Sequence, residues 1–390
     1  MINPGRAIGP QYGFGLYLHW PYCQHICPYC DFNVYAAKDR TTEPLFDAML
    51  ADLAAQASQL KGRAPLSSVY FGGGTPSLMS PSQIAQFIDA CTAALGLSER
   101  CEITLEANPN DIRLDRAKNW KEAGINRISL GVQSLDDRAL AFLGRDHTAA
   151  QGLQAVETVA HIFERYSVDL IYARPDQSLA AWREELTSLL SLKPPHLSLY
   201  ELTIAPKTAF GKAAQRGTLI PLDEEAQADL YELTEDLTAQ AGLPAYEISN
   251  YARSKADQSR HNLTYWRSGD WLGIGPGAHG RLSLDGVRLS TEGRARPQEY
   301  ITAVQNASHP WQTETALTAE ETAAEILTMG LRVKTGIEQD RVNAFLPRPI
   351  DKARLESLQT EGWLSLQEGR LCLTPSGRLL ADRIALELLR

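Results

Sequence analysis

Six short β-rich runs, each followed by a longer stretch with helical spacing, constrain what this 390-residue chain can become. The runs are 16–20, 69–71, 102–106, 127–132, 168–171 and 197–200. Between them, at 44–60, 81–95, 115–123, 149–165 and 179–192, apolar residues recur at helical intervals. Ser80-Pro81 is a helix start, with proline at the first helical position. Strands that alternate with helices build a parallel sheet, because each crossover helix returns the chain to the same end. Six units fall short of the eight that close a full barrel. The expectation is an α/β fold built on an open, partial (β/α)6 barrel.

A looser region is expected from 203 to 296, with one clear helix at 223–242 and many Gly, Tyr and Trp residues. The final segment reads helix (350–361), strand (363–366), turn (Glu368-Gly369), strand (371–373) and helix (375–389), a winged-helix-like pattern. Thr374-Pro375 supplies the cap and first-turn signal of that last helix. The expected domains are 1–235 for the barrel, 236–300 for a barrel extension and 301–390 for a smaller C-terminal α/β domain. A winged helix raises the possibility of DNA binding. Its candidate recognition helix carries Lys352 and Arg354 against Asp351, Glu356 and Glu361, which is no basic face. The net charge of −9 also speaks against sequence-independent nucleic-acid binding.

No apolar run is long enough to span a bilayer. Met1 to Gly15 carries one arginine and no apolar segment, which predicts no secretory leader. Of the six cysteines, Cys23, Cys27 and Cys30 lie within eight residues, while Cys91, Cys101 and Cys372 are scattered in apolar surroundings. A disulfide scaffold would be small and cysteine-dense. The pattern predicts a reduced, cytoplasmic protein with three small core cysteines and three that bind metal.

The polar and Gly-rich clusters all follow the six strands. Cysteines follow the first, Gly72-Gly73-Gly74-Thr75-Pro76 the second, and Glu106-Ala107-Asn108-Pro109 the third. Gly131-Val132-Gln133-Ser134 ends the fourth, Asp169 and Tyr172 mark the fifth, and Tyr200-Glu201 the sixth. Strand C-termini share one face of a parallel barrel, so these clusters converge there. The spacing C-x3-C-x2-C can hold three irons of a cubane iron–sulfur cluster and leave the fourth open to a small molecule. A structural zinc site with His19 or His25 is the alternative. The glycine loop is a turn or a place where a ligand meets backbone, and it lacks the Gly-Lys-Ser/Thr ending of a phosphate loop. Glu106, Gln133, Arg145 and Asp169 read alone as caps or surface residues; Asp169, if buried, needs a partner such as a ribose hydroxyl pair. His261-Asn262-Leu263-Thr264-Tyr265-Trp266 is either a packed loop or a haem pocket.

These motifs together resemble the radical S-adenosylmethionine (SAM) enzymes. Tyr17-Leu18-His19-Trp20-Pro21-Tyr22-Cys23, Cys30-Asp31-Phe32-Asn33, Leu143-Gly144-Arg145-Asp146-His147 and Asp169-Leu170-Ile171-Tyr172 are similar to the branch holding oxygen-independent coproporphyrinogen III oxidase and the HemW-type haem chaperones. The resemblance implies a partial radical SAM barrel with a smaller C-terminal domain. It implies a [4Fe-4S] cluster on Cys23, Cys27 and Cys30, with SAM on the open iron. Tyr17, Tyr29, Gly73, Gly74, Thr75, Glu106, Gln133, Arg145 and Asp169 would line the SAM site. The decarboxylating oxidase carries a further cysteine two residues after the third ligand, where Phe32 stands here, and a longer arm before its cluster. Both departures match the chaperones, as does the H-N-x-x-Y-W segment. The implied function is haem binding and delivery to apo-haem respiratory proteins, at the membrane surface, with an electron donor as a further partner. Haem candidates are His261, Tyr265, Trp266 and His279. Oxidative decarboxylation of coproporphyrinogen III is the alternative activity, which Phe32 speaks against. Asp169-Leu170-Ile171-Tyr172-Ala173-Arg174-Pro175 departs from the family's Gly-Leu-Pro ending at Arg174.

Overall fold

The computed structural model describes residues 4–37, 42–60, 62–306 and 311–390. Met1 to Asn3 of the N-terminal segment lie outside these. Eleven strands form one sheet, named here in chain order: β1 (Phe14–Trp20), β2 (Leu66–Gly73), β3 (Leu97–Ala107), β4 (Arg127–Gln133), β5 (Arg165–Tyr172), β6 (His196–Glu201), β7 (Asn250–Ala252), β8 (Asp270–Ile274), β9 (His279–Leu284), β10 (Val287–Gly293) and β11 (Trp311–Ala316). Their spatial order is β11-β10-β9-β8-β1-β2-β3-β4-β5-β6-β7. From β8 through β1 to β6 every neighbour pair is parallel. The strands β7, β9, β10 and β11 are antiparallel to their neighbours.

All six expected strands are present, each longer than its apolar core. The crossover helices lie at Glu43–Ser58, Pro81–Leu95, Leu114–Glu122, Ala149–Ile162 and Leu179–Ser191. The helix at Pro81–Leu95 opens on Ser80 with a capping box to Gln83, which satisfies two backbone donors at once. Leu16, Leu18 and Trp20 point outward from β1 and are buried with Met49 and Leu53 of the first crossover helix. The opposite residues of β1, Tyr17 and His19, face the barrel interior with Tyr70 of β2, which pairs with Tyr17.

Two expectations need correction. The region 203–296 is not loose: it supplies β7, β8, β9 and β10, and β8 adds a seventh parallel strand beside β1. Gly273 hid this strand. It breaks the apolar run, yet a Cβ there would lie 2.4 Å from the His279 carbonyl oxygen of β9, so close strand approach demands glycine. The second correction concerns the last helix. It is two pieces, Pro375–Arg378 and Ala381–Leu388, interrupted at Leu379-Leu380. A Cβ on Gly377 would meet the Trp363 carbonyl oxygen at 1.9 Å, so the first piece is pinned against the hairpin.

The C-terminal hairpin pairs Leu364–Gln367 with Arg370–Leu373, and Ile337–Glu338 adds a third strand. Glu368 and Gly369 both have φ near the left-handed region, as a two-residue hairpin turn requires. This domain has its own core, which also takes in Ala7 and Ile8. Its Arg341 donates to the Ala7 and Arg267 carbonyls, fixing the domain under the N-terminal end of the barrel strands. The helix Glu224–Gln240 runs through the boundary expected at 235. No helix of the described residues is long and apolar enough to cross a membrane.

Candidate functional site

The C-terminal strand ends converge as the topology requires. Gly74 N–H donates to Trp20 O (2.7 Å) and Thr75 N–H to Tyr22 O (2.8 Å), so the loop after β2 zips onto the start of the cysteine loop. A Cβ on Gly74 would lie 2.7 Å from Tyr22 O and 3.0 Å from Cys23 Sγ. Gly73 has φ 109° and equally has no room, with His19 Nδ1 at 2.7 Å. The Tyr22-Cys23 backbone also pairs with Tyr35-Ala36, which closes the cysteine loop on itself.

Cys23 is buried, whereas Cys27 and Cys30 are part-exposed, and all three are free thiols. Burial pushes the Cys23 and Cys30 thiols up, Cys30 to about 11. A metal that took these sulfurs as thiolates would supply the positive charge that burial withholds. Among the described residues no group of three or more His, Cys, Asp or Glu is close enough to hold a single ion. His19 is committed elsewhere, with one ring nitrogen on Tyr17 Oη and the other on Asn33 O, both at 2.9 Å. Three thiols on a tightly pinned loop, with His19 engaged elsewhere, are a donor set that fits a multi-iron cluster.

Arg145 arches over this loop. It donates to Cys27 Sγ at 3.3 Å, to Asn108 Oδ1 at 2.5 Å and to Gly131 O at 3.2 Å. One guanidinium thus ties the cysteine loop to the ends of β3 and β4. A small cavity beside it is lined by Gln24, Cys27, Thr75, Asn108 and Arg145. Glu106 accepts from Tyr70 Oη (2.8 Å) and from Gly73 N–H (3.2 Å). Burial holds its carboxyl up at about 7. Asp169 accepts from Ser129 (2.9 Å) and Ser167 (2.8 Å), and burial raises it as well. Gln133 ends β4 with φ 67°, a left-handed conformation for a residue with a side chain. Tyr29 lies in an apolar cluster with Leu143 and Phe210, beside the loop. Gly73, Gly74, Thr75, Glu106, Gln133 and Arg145 thus gather at the C-terminal strand ends with Tyr29 beside them, while Tyr17, 6.3 Å from the His261 ring, and Asp169 lie deeper in the barrel.

Arg174 proves to be a structural brace. It donates to Glu185 (2.6 Å), Ser134 (2.7 Å) and Ile171 O, and is buried. The departure at this position is balanced within the chain by Glu185.

The haem candidates do not come together. His261 and Tyr265 lie inside the barrel near its N-terminal end, on the helix Arg260–Trp266. His261 is 1% exposed, and both ring nitrogens are engaged, by Ser68 Oγ at 2.9 Å and Tyr265 Oη at 2.6 Å. Burial holds it neutral, down at about 3. It offers no free lone pair to a metal in this conformation. Trp266 faces away, under the Arg332 guanidinium at 4.5 Å. His279 alone is exposed; it begins β9 near His19, whose ring burial holds below the usual imidazole range, with His279 adding to the effect. Tyr70, Asn108, Glu102 and Arg127 join the site or its supports without a motif in the sequence to mark them. Tyr70 carried one signal: it shares a strand face with the glycines that follow.

Protein-family models match residues 17–189 as the radical SAM superfamily and 317–380 as the HemN C-terminal domain. The chain is 33% identical over 373 residues to heme chaperone HemW of Bacillus subtilis (strain 168), covering 94% of this chain and 97% of that protein. It is 39% identical over 289 residues to heme chaperone HemW of Escherichia coli (strain K12), covering 73% and 75%. Radical S-adenosyl methionine domain-containing protein 1, mitochondrial, of Bos taurus is 36% identical over 385 residues, covering 96% and 87%. The solved coproporphyrinogen III oxidase (HemN) of Escherichia coli superposes with a TM-score of 0.80 at 21% identity, covering 98% of this chain and 92% of that one, a likeness of fold. By the pinned cysteine loop, the convergent strand ends and these likenesses, the chain belongs to the radical SAM superfamily, in its HemW branch.

Proposed function

We propose that this protein is a haem chaperone that binds haem and hands it to apo-haem respiratory proteins. Likeness to the HemW chaperones over nearly the whole chain supports the reading. The observation that carries it against a decarboxylating oxidase is Phe32. It stands where the oxidase has a further cysteine, and its ring is 62% exposed beside the cysteine loop. An apolar ring on that rim suits a flat macrocycle better than redox chemistry. Fold likeness to HemN does not by itself transfer its activity.

Cys23, Cys27 and Cys30 would hold a [4Fe-4S] cluster, and Tyr17, Tyr29, Gly73, Gly74, Thr75, Glu106, Gln133, Arg145 and Asp169 would line the SAM site. When bound, the cluster supplies one-electron chemistry at its open iron. The chain's own part is to pin the loop, screen Cys27 with Arg145 and keep Glu106 oriented. An electron donor would reduce the cluster, and delivery would take place at the membrane surface. Six free cysteines fit a reducing compartment, the cytoplasm in a bacterial cell.

Among the haem candidates we favour His279 as axial ligand, because it is exposed while His261 is enclosed. Hemin titration of the anaerobically reconstituted protein is the test. A saturable Soret shift is expected, and His279→Ala should weaken it. No Soret shift in the wild type would remove the haem reading; an unchanged shift in His279→Ala would remove the ligand assignment.

A further inference from the structure

The H-N-x-x-Y-W segment has a role in the barrel that haem binding does not explain. Its helix, Arg260–Trp266, closes the barrel from the N-terminal end of the strands. Glu102 of β3, fully buried, caps that helix from within the barrel. Its two carboxylate oxygens accept from the Arg260 and His261 amides, each at 3.1 Å. The positive charge of Arg127, and after it the ion pair with Arg165 (2.5 Å), keep Glu102 charged in spite of its burial. An anionic side chain at a helix N-terminus is favourable in charge and in hydrogen bonding.

The helix so placed sets His261 into a shaped seat. Gly15 has no side chain there; a Cβ would meet Ser68 Oγ at 2.9 Å and His261 Nδ1 at 3.2 Å. The imidazole bridges Ser68 and Tyr265, as described above. Its flat face stacks on the Tyr70 ring at 4.8 Å between centroids and 23° between planes. Tyr70 in turn donates its hydroxyl to Glu106, and the second Glu106 oxygen accepts from the Gly73 amide. One chain of contacts therefore runs from the closing helix, through His261 and Tyr70, to the carboxylate and glycine expected at the SAM site.

We propose that His261 is a positioning residue for the nucleotide site, acting through Tyr70 on Glu106 and Gly73, and is not a haem ligand. This rests on the reading of Glu106 and Gly73 as part of the SAM site. The ring fixes the height of Tyr70 in the barrel. Tyr70 then fixes the direction of a carboxyl that burial raises, and its hydroxyl works against that rise. A hydrogen bond to a charged group is worth enough that its loss changes affinity by about tenfold or more.

The test uses the full chain, reconstituted anaerobically with iron and sulfide. SAM affinity is measured by equilibrium binding, the cluster–SAM contact by the change that SAM causes in the EPR spectrum of the reduced cluster, and haem by hemin titration. Tyr70→Phe removes one hydroxyl and keeps the stacked ring. It should weaken SAM binding about tenfold, shrink the EPR change and leave hemin binding as in the wild type. His261→Ala should do the same, and His261→Gln, which keeps a planar polar group, should recover part of the loss. If His261→Ala does not fold, Tyr70→Phe and Tyr265→Phe decide. Unchanged SAM affinity in Tyr70→Phe overturns the proposal. So does lost hemin binding with intact SAM binding in His261→Ala. A wild type that takes up the cluster but not SAM would overturn the site reading itself, and the positioning role with it.

Discussion

Gly74 shows how much a single residue decides. Its amide holds Trp20 O, and the space where a side chain would sit is filled by Tyr22 O and Cys23 Sγ. Gly74→Ala must push the cysteine loop away from the β2 loop. Strain of this kind costs about 1–3 kcal/mol. The expected result is a lower melting temperature together with less iron retained per chain after reconstitution; iron retention equal to the wild type would show that the loop tolerates the shift. The cysteines and glycines were legible in the sequence because their chemistry leaves few alternatives. Tyr70, Glu102 and Arg127 were not, since one polar residue in an apolar strand carries no mark of its partners. His261 was legible as unusual but was open to two roles. Only the distances to Ser68 and Tyr265 show that its ring nitrogens are spent.

Elements that alternate strongly were readable, and those interrupted by glycine were not. The six strands and their crossover helices follow from two clear periods. β8 is masked in the sequence because Gly273 and the following glycines have the pattern of a turn. The last helix read as continuous because Leu379-Leu380 is apolar and carries no stop signal. Between elements, one buried carboxyl shapes the response to pH. Asp52, on the first crossover helix, accepts from Tyr300 (2.6 Å) on the helix Pro297–Gln305 and from Gln56 (2.8 Å). Burial raises its carboxyl from the usual 3.8 to about 6. The folded state therefore keeps a proton that the unfolded chain gives up between those values. Its contribution is present below pH 3.8 and is lost as the pH rises through about 6. Urea unfolding from pH 4 to 7 should show Asp52→Asn flattening this part of the slope. A slope as steep as the wild type's would place the titration elsewhere.

At the scale of the whole molecule, the barrel has two differently closed ends. The strand C-termini gather the cysteine loop, the glycines, Arg145 and exposed Phe32 and His279. The other end is sealed by the helix Arg260–Trp266, with the C-terminal domain against it through Arg332 and Arg341. Motif order along the chain made the first end readable, because β/α topology brings strand ends together whatever their separation in sequence. The placement of the C-terminal domain leaves no mark in the sequence, since contacts such as Arg341 to Ala7 join residues at opposite ends of the chain. The most direct measurement offers hemin and coproporphyrinogen III, with SAM and a reductant, to one anaerobically reconstituted sample. A haem chaperone gives a saturable Soret band and no protoporphyrinogen. Porphyrinogen turnover without haem uptake would contradict the chaperone reading.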